Sequence, residues 1–360
     1  MKKILFWSMV SFCSSATAAP HDIFLTTQKQ QVHWQLTGAL DAVNDSIDLF
    51  DLRAKEGISG DRGDYIGAQL STRYQFTPQL WLEGQYHYRE IDYSPDTNRI
   101  HSGLIGVGYT PNLELGEQQQ LDLRVSFWGN QADQLNRSAP TAVNQYQFEQ
   151  VNVKDAKDWQ VQLDAIFSHR LDPINQINFI GSIGYSDVSV DAIDLRTRYR
   201  GCLADLQVDR NNQFQGHLVG NCQLNGHQVD QLHISGNAQE YGLDLQKDLN
   251  YSSIYASIGL NWLWQYRNIK SQAGYQYQYL WRDDVDQRVQ KFGSSAIKDN
   301  HTLGLKFSYA LTPHLDLFVQ GEMYQHNFVG QIPLLYNGVT ASRLDRRYGL
   351  ASLGLTLHRF

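Results

Sequence analysis

The chain has 360 residues, with 30 Lys and Arg against 37 Asp and Glu and a formal charge of -7. That balance argues against nucleic acid as a partner, because phosphate binding needs clustered cations. Its 20 Tyr, 15 Phe and 8 Trp, set against 3 Met and 8 Pro, favour an all-β protein with exposed rings. No stretch offers the roughly 20 apolar residues that a spanning helix requires.

At the N-terminus Lys2 and Lys3 precede an apolar run over residues 4–12, followed by Ser14-Ser15-Ala16-Thr17-Ala18-Ala19. This is the layout of a secretory signal peptide. Ala16 and Ala18 supply the small pair that cleavage requires, and Pro20 disfavours a cut directly before it. Residues 1–18 are therefore expected to be removed, leaving 19–360 as one barrel domain with long external loops. Cys13 goes with the leader. The remaining Cys202 and Cys222 are expected to join in an oxidising compartment. Such a bridge closes about 21 residues and contributes on the order of 3 kcal/mol. A metal site there lacks a second ligand pair at fixed spacing, although His217 and His227 are near in sequence.

Apolar and polar residues then alternate in segments of about ten, the pattern of a membrane barrel. In the first, Ile66, Ala68, Leu70, Thr72, Tyr74 and Phe76 share one face and Gly67, Gln69, Ser71, Arg73 and Gln75 the other. The alternation recurs with Leu82, Tyr86 and Tyr88 opposite Glu83, Gln85, His87 and Arg89, and with Leu121, Leu123, Val125 and Phe127 opposite Asp122, Arg124 and Ser126. It continues through Trp159, Val161, Leu163 and Phe167 opposite Gln160, Gln162 and Asp164. Near the end, Leu303, Leu305 and Phe307 oppose Lys306, and Leu317 and Val319 oppose Asp316 and Gln320. A soluble sandwich also alternates, but a polar face in almost every long strand suits a barrel lumen. Arg at Leu70, Leu82, Val125 or Leu163 is expected to be costly, and Arg at Gln69 or Gln162 mild. Trp262, Trp264 and Tyr266, and the stripe Tyr275, Tyr277, Tyr279 and Trp281, are expected in interfacial girdles.

Thr77-Pro78-Gln79, Asp172-Pro173-Ile174-Asn175 and Thr312-Pro313-His314 join long strands as short periplasmic turns. The polar stretches 41–63, 131–156, 284–299 and 327–345 are then external loops. Thirteen candidate strands are visible, and an even count is required. Either one is hidden in the poorly patterned stretch 188–235 or one is overcounted, giving about 14 strands with 12 as the alternative.

The terminal sequence Leu353-Gly354-Leu355-Thr356-Leu357-His358-Arg359-Phe360 resembles the last strand of Gram-negative outer-membrane β-barrel proteins, which ends on Phe. The resemblance implies an outer-membrane location, recognition of Phe360 by the barrel-assembly machinery, and contact with lipid and lipopolysaccharide. His358 and Thr356 stand in phase with Phe360 where the family has apolar residues, and Leu353, Leu355 and Leu357 stand out of phase, so a bulge near His358 is expected. The last strand is expected to pair with a first strand around residues 32–40.

Among reactive groups, His233-Ile234-Ser235-Gly236-Asn237 resembles the His-x-Ser motif of outer-membrane phospholipases and lipid A deacylases, but Gly236 stands where those families place Asn. A non-enzymatic protein without cofactor or metal is the expectation. Asp41, Asp45, Asp48 and Asp51, and Asp283, Asp284 and Asp286, lack the ligand spacing of a Ca²⁺ loop and read as solvated loop charge. Arg196, Arg198 and Arg200 alternate, placing three guanidinium groups on one side of a strand for a pore or for lipopolysaccharide phosphates. Two functions follow. One is a porin-like passive channel for small polar solutes, with Arg73, Glu83, Arg89, Asp122, Arg124, Asp164, Lys306, Asp316 and Glu322 lining the lumen. The other is a non-conducting structural or surface-binding barrel acting through its loops.

Overall fold

The computed structural model describes residues 23–27, 33–43, 64–92, 97–137, 141–143, 146–199, 202–219, 222–224, 227–229, 232–291, 295–325, 330–337 and 347–359. The leader and Phe360 lie outside the described residues, as do Arg200, Asp45, Asp48 and Asp51.

In chain order the strands are β1 (Trp34–Val43), β2 (Asp64–Gln75), β3 (Leu80–Asp92), β4 (Thr97–Tyr109), β5 (Gln119–Arg137), β6 (Thr141–Val143), β7 (Tyr146–Arg170) and β8 (Asn175–Ser189). There follow β9 (Ala192–Tyr199), β10 (Cys202–Asp209), β11 (Gln213–Val219), β12 (Cys222–Leu224), β13 (His227–Val229) and β14 (His233–Asn237). The last five are β15 (Tyr251–Tyr266), β16 (Ile269–Trp281), β17 (Asp299–Thr312), β18 (Leu315–Gln325) and β19 (Arg347–Arg359). Two helices, α1 (Leu245–Asp248) and α2 (Asp283–Lys291), lie between strands.

Twelve strands close into one antiparallel barrel in the order β1, β2, β3, β4, β5, β7, β8, β15, β16, β17, β18 and β19. β19 returns to β1 in unbroken register from Trp34 opposite Arg359 to Ala42 opposite Ala351. Closure removes both sheet edges, so backbone donors and acceptors are satisfied within the wall. The short turns are set by local chemistry. Thr77 Oγ1 accepts from the amides of Gln79 and Leu80, and Asp172 Oδ1 from those of Ile174 and Asn175. Each turn carries its Pro where the ring presets the backbone.

The smaller of the two strand counts is the one that forms. β8 passes directly to β15, and the strands between them stand outside the ring. Above the barrel β7 continues for 25 residues in all and pairs with β9, after which β10, β11 and β14 follow side by side. Alternation there belongs to a partly solvated extension of the same sheet beyond the barrel, which sequence patterning does not distinguish from barrel wall. The described residues of 131–156 are accordingly strand, not loop: β5 and β7 extend side by side, and β6 pairs with the start of β7.

This extension is a cap. Val151, Val153, Ile193, Leu195, Val208 and Phe214 share one core with Leu243, Leu245 of α1, Val285 and Val289 of α2, and Ile332 and Leu334. The stretch 284–299 therefore carries a helix, and Asp286 is buried against Arg282 and Tyr336, not solvated.

The barrel exterior is apolar at Leu70, Ile105, Val125, Leu163, Ile183, Ile258, Leu305, Val319 and Leu355, all of them exposed. Tyr74, Tyr109, Trp262, Tyr266 and Tyr309 are exposed toward the short-turn end, and Trp159 and Trp281 toward the other. An apolar belt between two aromatic girdles is the surface of a transmembrane barrel, and the short turns mark its periplasmic end. Leu353, Leu355 and Leu357 face outward, while Ser352, Gly354, Thr356 and His358 face inward. Register runs unbroken past His358 against β1 and from Leu357 inward against β18, so the expected bulge is absent from the described pairs.

Candidate functional site

A chain segment that belongs to no strand occupies the periplasmic half of the lumen. Ile23, Phe24 and Thr27 are buried there, although residues 23–27 lie outside the wall. Asn261 Nδ2 donates to the carbonyls of Ile23 at 3.0 Å and Leu25 at 2.7 Å, and Gln272 Nε2 donates to that of Phe24 at 3.1 Å. The amide of Thr27 donates to Ser168 Oγ at 3.3 Å. Gly274 and Gly304 are register partners on β16 and β17, and together they make the notch the segment fills. A Cβ at Gly274 meets the Ile23 carbonyl at 2.7 Å, and one at Gly304 meets the ring of Phe24 at 2.7 Å. Sequence reading missed this segment, though two glycines on the inward phase of neighbouring strands were a visible sign of close approach.

Between the segment and the β1–β3 wall a cavity of about 210 Å³ persists, lined by Phe24, Thr37, Arg73, Glu83, Arg124 and Lys306 among others. Arg124 is the centre of its charge network, with Nε 2.5 Å from Glu83 and Nη1 3.1 Å from Asp164. Glu83 reaches Arg124 across β4 because the intervening inward position is Gly106, where a Cβ meets Glu83 Oε1 at 2.5 Å. Arg73 instead stacks its guanidinium 3.7 Å over Trp81, and Trp81 lies flat against Gly108.

The other expected lumen residues also point inward. Asp122 accepts from Thr110 at 2.7 Å and Gln120 at 3.0 Å, and Arg89 donates to Ser102 at 2.6 Å. Asp316 lies 3.1 Å from His358 and 3.6 Å from Lys270, and Glu322 accepts from Gln320 and Tyr324. Lys306 sits 4.3 Å over the ring of Phe318. Asp41, read from sequence as loop charge, is instead buried in β1 and lies 2.8 Å from His87.

A second segment enters from the extracellular side. Residues 330–337, expected in an external loop, are buried around a short 3-10 turn at Pro333–Leu335. Asn130 donates to the Gln331 carbonyl at 3.1 Å, Asp158 accepts from the Leu334 amide at 3.1 Å, and Tyr251 donates to the Pro333 carbonyl at 2.8 Å. Below it Trp128 and Tyr255, on strands that are not neighbours, meet edge to face at 6.3 Å. Water is excluded from Gln160, Asp164, Asn178 and Asn261, each of which is fully buried. Polar side chains of an open pore remain hydrated, so this side of the lumen is packed.

The outer face of the cap is polar. Across β7, β9, β10, β11 and β14 run Gln150, Arg196, Asp205, His217 and His233 in one register row. Arg196 grips Asp205 with two hydrogen bonds at 2.7 and 2.9 Å, which hold that carboxyl below the usual range. The row borders a basin of about 550 Å³. His233 and Ser235 share this face, with His217 and Gln215 as their cross-strand partners. Arg198 pairs with Glu149. Cys202 is buried at the start of β10 and Cys222 opens β12, whose side chains lie outside the description.

No family model matches the chain, and no curated relative matches it by sequence. Solved structures do resemble it. The translocator domain of the autotransporter NalP from Neisseria meningitidis aligns over 92% of this chain and 90% of its own, at 8% identity and a TM-score of 0.48. The β domain of the Bordetella autotransporter BrkA aligns over 91% and 98%, at 11% identity and 0.43. The NanC porin aligns over 90% and 98%, at 10% identity and 0.38. The strand pairing of the chain itself, closed through β1 and β19 behind an apolar exterior, makes it an antiparallel transmembrane β-barrel of 12 strands.

Proposed function

We propose that the protein is a porin-like barrel for small polar solutes whose passage along β1–β3 is shut in this state by the N-terminal segment, residues 23–27. One observation carries the reading: Ile23–Thr27 lies within a polar lumen, fastened to its wall by hydrogen bonds and seated against Gly274 and Gly304, beside a cavity that persists along β1–β3. A structural barrel has no need of a polar passage beside a separable plug. In this reading the chain is not an enzyme, residues 1–18 are a cleaved leader, Cys202 and Cys222 form one disulfide bracing the cap, and the barrel-assembly machinery and lipopolysaccharide are its partners.

Planar-bilayer recording tests it on three proteins: the mature chain, a form lacking residues 19–32, and full-length Gly274→Val, whose side chain evicts the Ile23 carbonyl. The mature chain is expected to be nearly silent and both variants to conduct. Silence of all three, with folding confirmed by heat-modifiable migration, overturns it. The basin on the cap favours a second reading, a barrel that binds surface ligands. In that case, variants with the cap's polar row replaced lose adhesion while the truncated form stays silent.

A further inference from the structure

We infer that the passage, once open, selects anions, and that Arg73 is the selectivity-determining residue, a docking point for a small carboxylate- or phosphate-bearing solute. The inference rests on the channel reading above and adds the solute class to it.

Arg73 and Glu83 are register partners on β2 and β3, the arrangement in which a cross-strand ion pair ordinarily forms. Here it does not. On its other side Glu83 faces Gly106, and the missing side chain opens a path over β4 to Arg124. Glu83 takes that path and binds Arg124 Nε at 2.5 Å, where Asp164 already holds Nη1. The nearby carboxylate of Asp122 is turned to Thr110 and Gln120. Arg73 is left stacked on Trp81 with no ion pair among the described residues.

Stacking occupies one face of a guanidinium and leaves its in-plane N–H donors available, the geometry that receives a carboxylate or phosphate oxygen pair. Those donors border the cavity beside the N-terminal segment, together with the ammonium of Lys306 and the amides of Gln35, Gln85 and Gln272. Its charged lining is Arg73, Arg124, Lys306 and Glu83, and Glu83 and Arg124 are spent on each other, so the cation stacked on Trp81 faces the cavity. Low-dielectric walls focus the field of a cation that has no direct ion pair, so a narrow passage of this kind favours anions over cations.

Reversal potentials across a KCl gradient, measured on the form lacking residues 19–32, test the inference. Chloride is expected to permeate severalfold better than potassium. Arg73→Gln is expected to bring the ratio near unity and Arg73→Glu to invert it, while Arg198→Gln on the cap leaves it unchanged. Gly106→Val, which blocks the route of Glu83 to Arg124 and returns it toward Arg73, is expected to weaken the preference. Cation preference in the unsubstituted form, or indifference to Arg73, overturns the inference and leaves the channel reading standing. Calorimetry on the folded mature protein in detergent separates the two. Inorganic phosphate and gluconate are expected to bind, glucose is not, and Arg73→Gln is expected to weaken binding roughly tenfold, the loss of one charge-assisted contact. Arg73-dependent binding with a silent bilayer keeps the site and defeats the channel; no Arg73-dependent binding defeats the site.

Discussion

Removing the guanidinium of Arg124 strands two carboxylates at once, since Glu83 and Asp164 both depend on it and Asp164 is fully buried. Breaking a buried pair from one side costs more than the pair itself contributes, because the orphaned charge stays desolvated. Arg124→Met is expected to destabilise the barrel by about 3–5 kcal/mol in a urea-refolding assay, with part of the loss recovered by adding Glu83→Gln. An unchanged midpoint for the single variant would contradict the network. Single glycines do comparable work by their absence: Gly106, Gly108 and Gly184 sit where Glu83, Trp81 and Tyr255 lie flat against the wall. Residue type and inward phase were readable for Glu83 and Arg124, but their pairing across an intervening strand was not. It depends on which of two neighbours lacks a side chain.

Strands carry the membrane-facing claim. Arg at Leu70, an exposed apolar site on β2, is expected to cost about 2–4 kcal/mol in lipid refolding. The same change at half-buried Gln69 is expected to be mild. Gln162 no longer belongs with Gln69: it is buried and donates to Asp164 at 2.5 Å, so Arg there is expected to be costly as well. Equal cost at Leu70 and Gln69 would contradict the inward and outward assignment. In the cap, Arg196 depresses the carboxyl of Asp205, and a depressed carboxyl contributes stability above its unfolded value that is lost as pH falls through its folded one. Cap protection in hydrogen exchange is therefore expected to hold at neutral pH and to fall below about pH 4, near the unfolded carboxyl value. Asp205→Asn is expected to weaken that dependence, since Asp191 and Asp244 of the cap are held low as well, and a cap equally protected at pH 3 would contradict it.

At the scale of the molecule, closure between β1 and β19 is the step on which insertion depends, because an open edge leaves backbone groups unsatisfied in lipid. Deleting Phe360 is expected to leave export intact and reduce heat-modifiable protein in membrane fractions. Unchanged insertion would shift recognition to Leu353, Leu355 and Leu357, which the register now places on the lipid side. The barrel and its cap share apolar residues through α2 and the inserted 330–337 segment, so the cap and the extracellular mouth are expected to unfold together.

Alternation with period two determined the class, the inward and outward faces and the short turns, because lipid outside and water inside act on each residue independently of its distant neighbours. What it left open was everything that depends on three-dimensional proximity. The same alternation serves β9 and β10 above the membrane and β8 within it, so the strand count was decided only by which edge met which. Ile23–Thr27 and residues 330–337 have no pattern of their own, and their place in the lumen follows from Asn261, Gln272, Gly274 and Asp158, which lie far away in sequence. Sequence supplied a polar-lined barrel; whether that lining is a path or a packed core was decided by the segments that fold back into it.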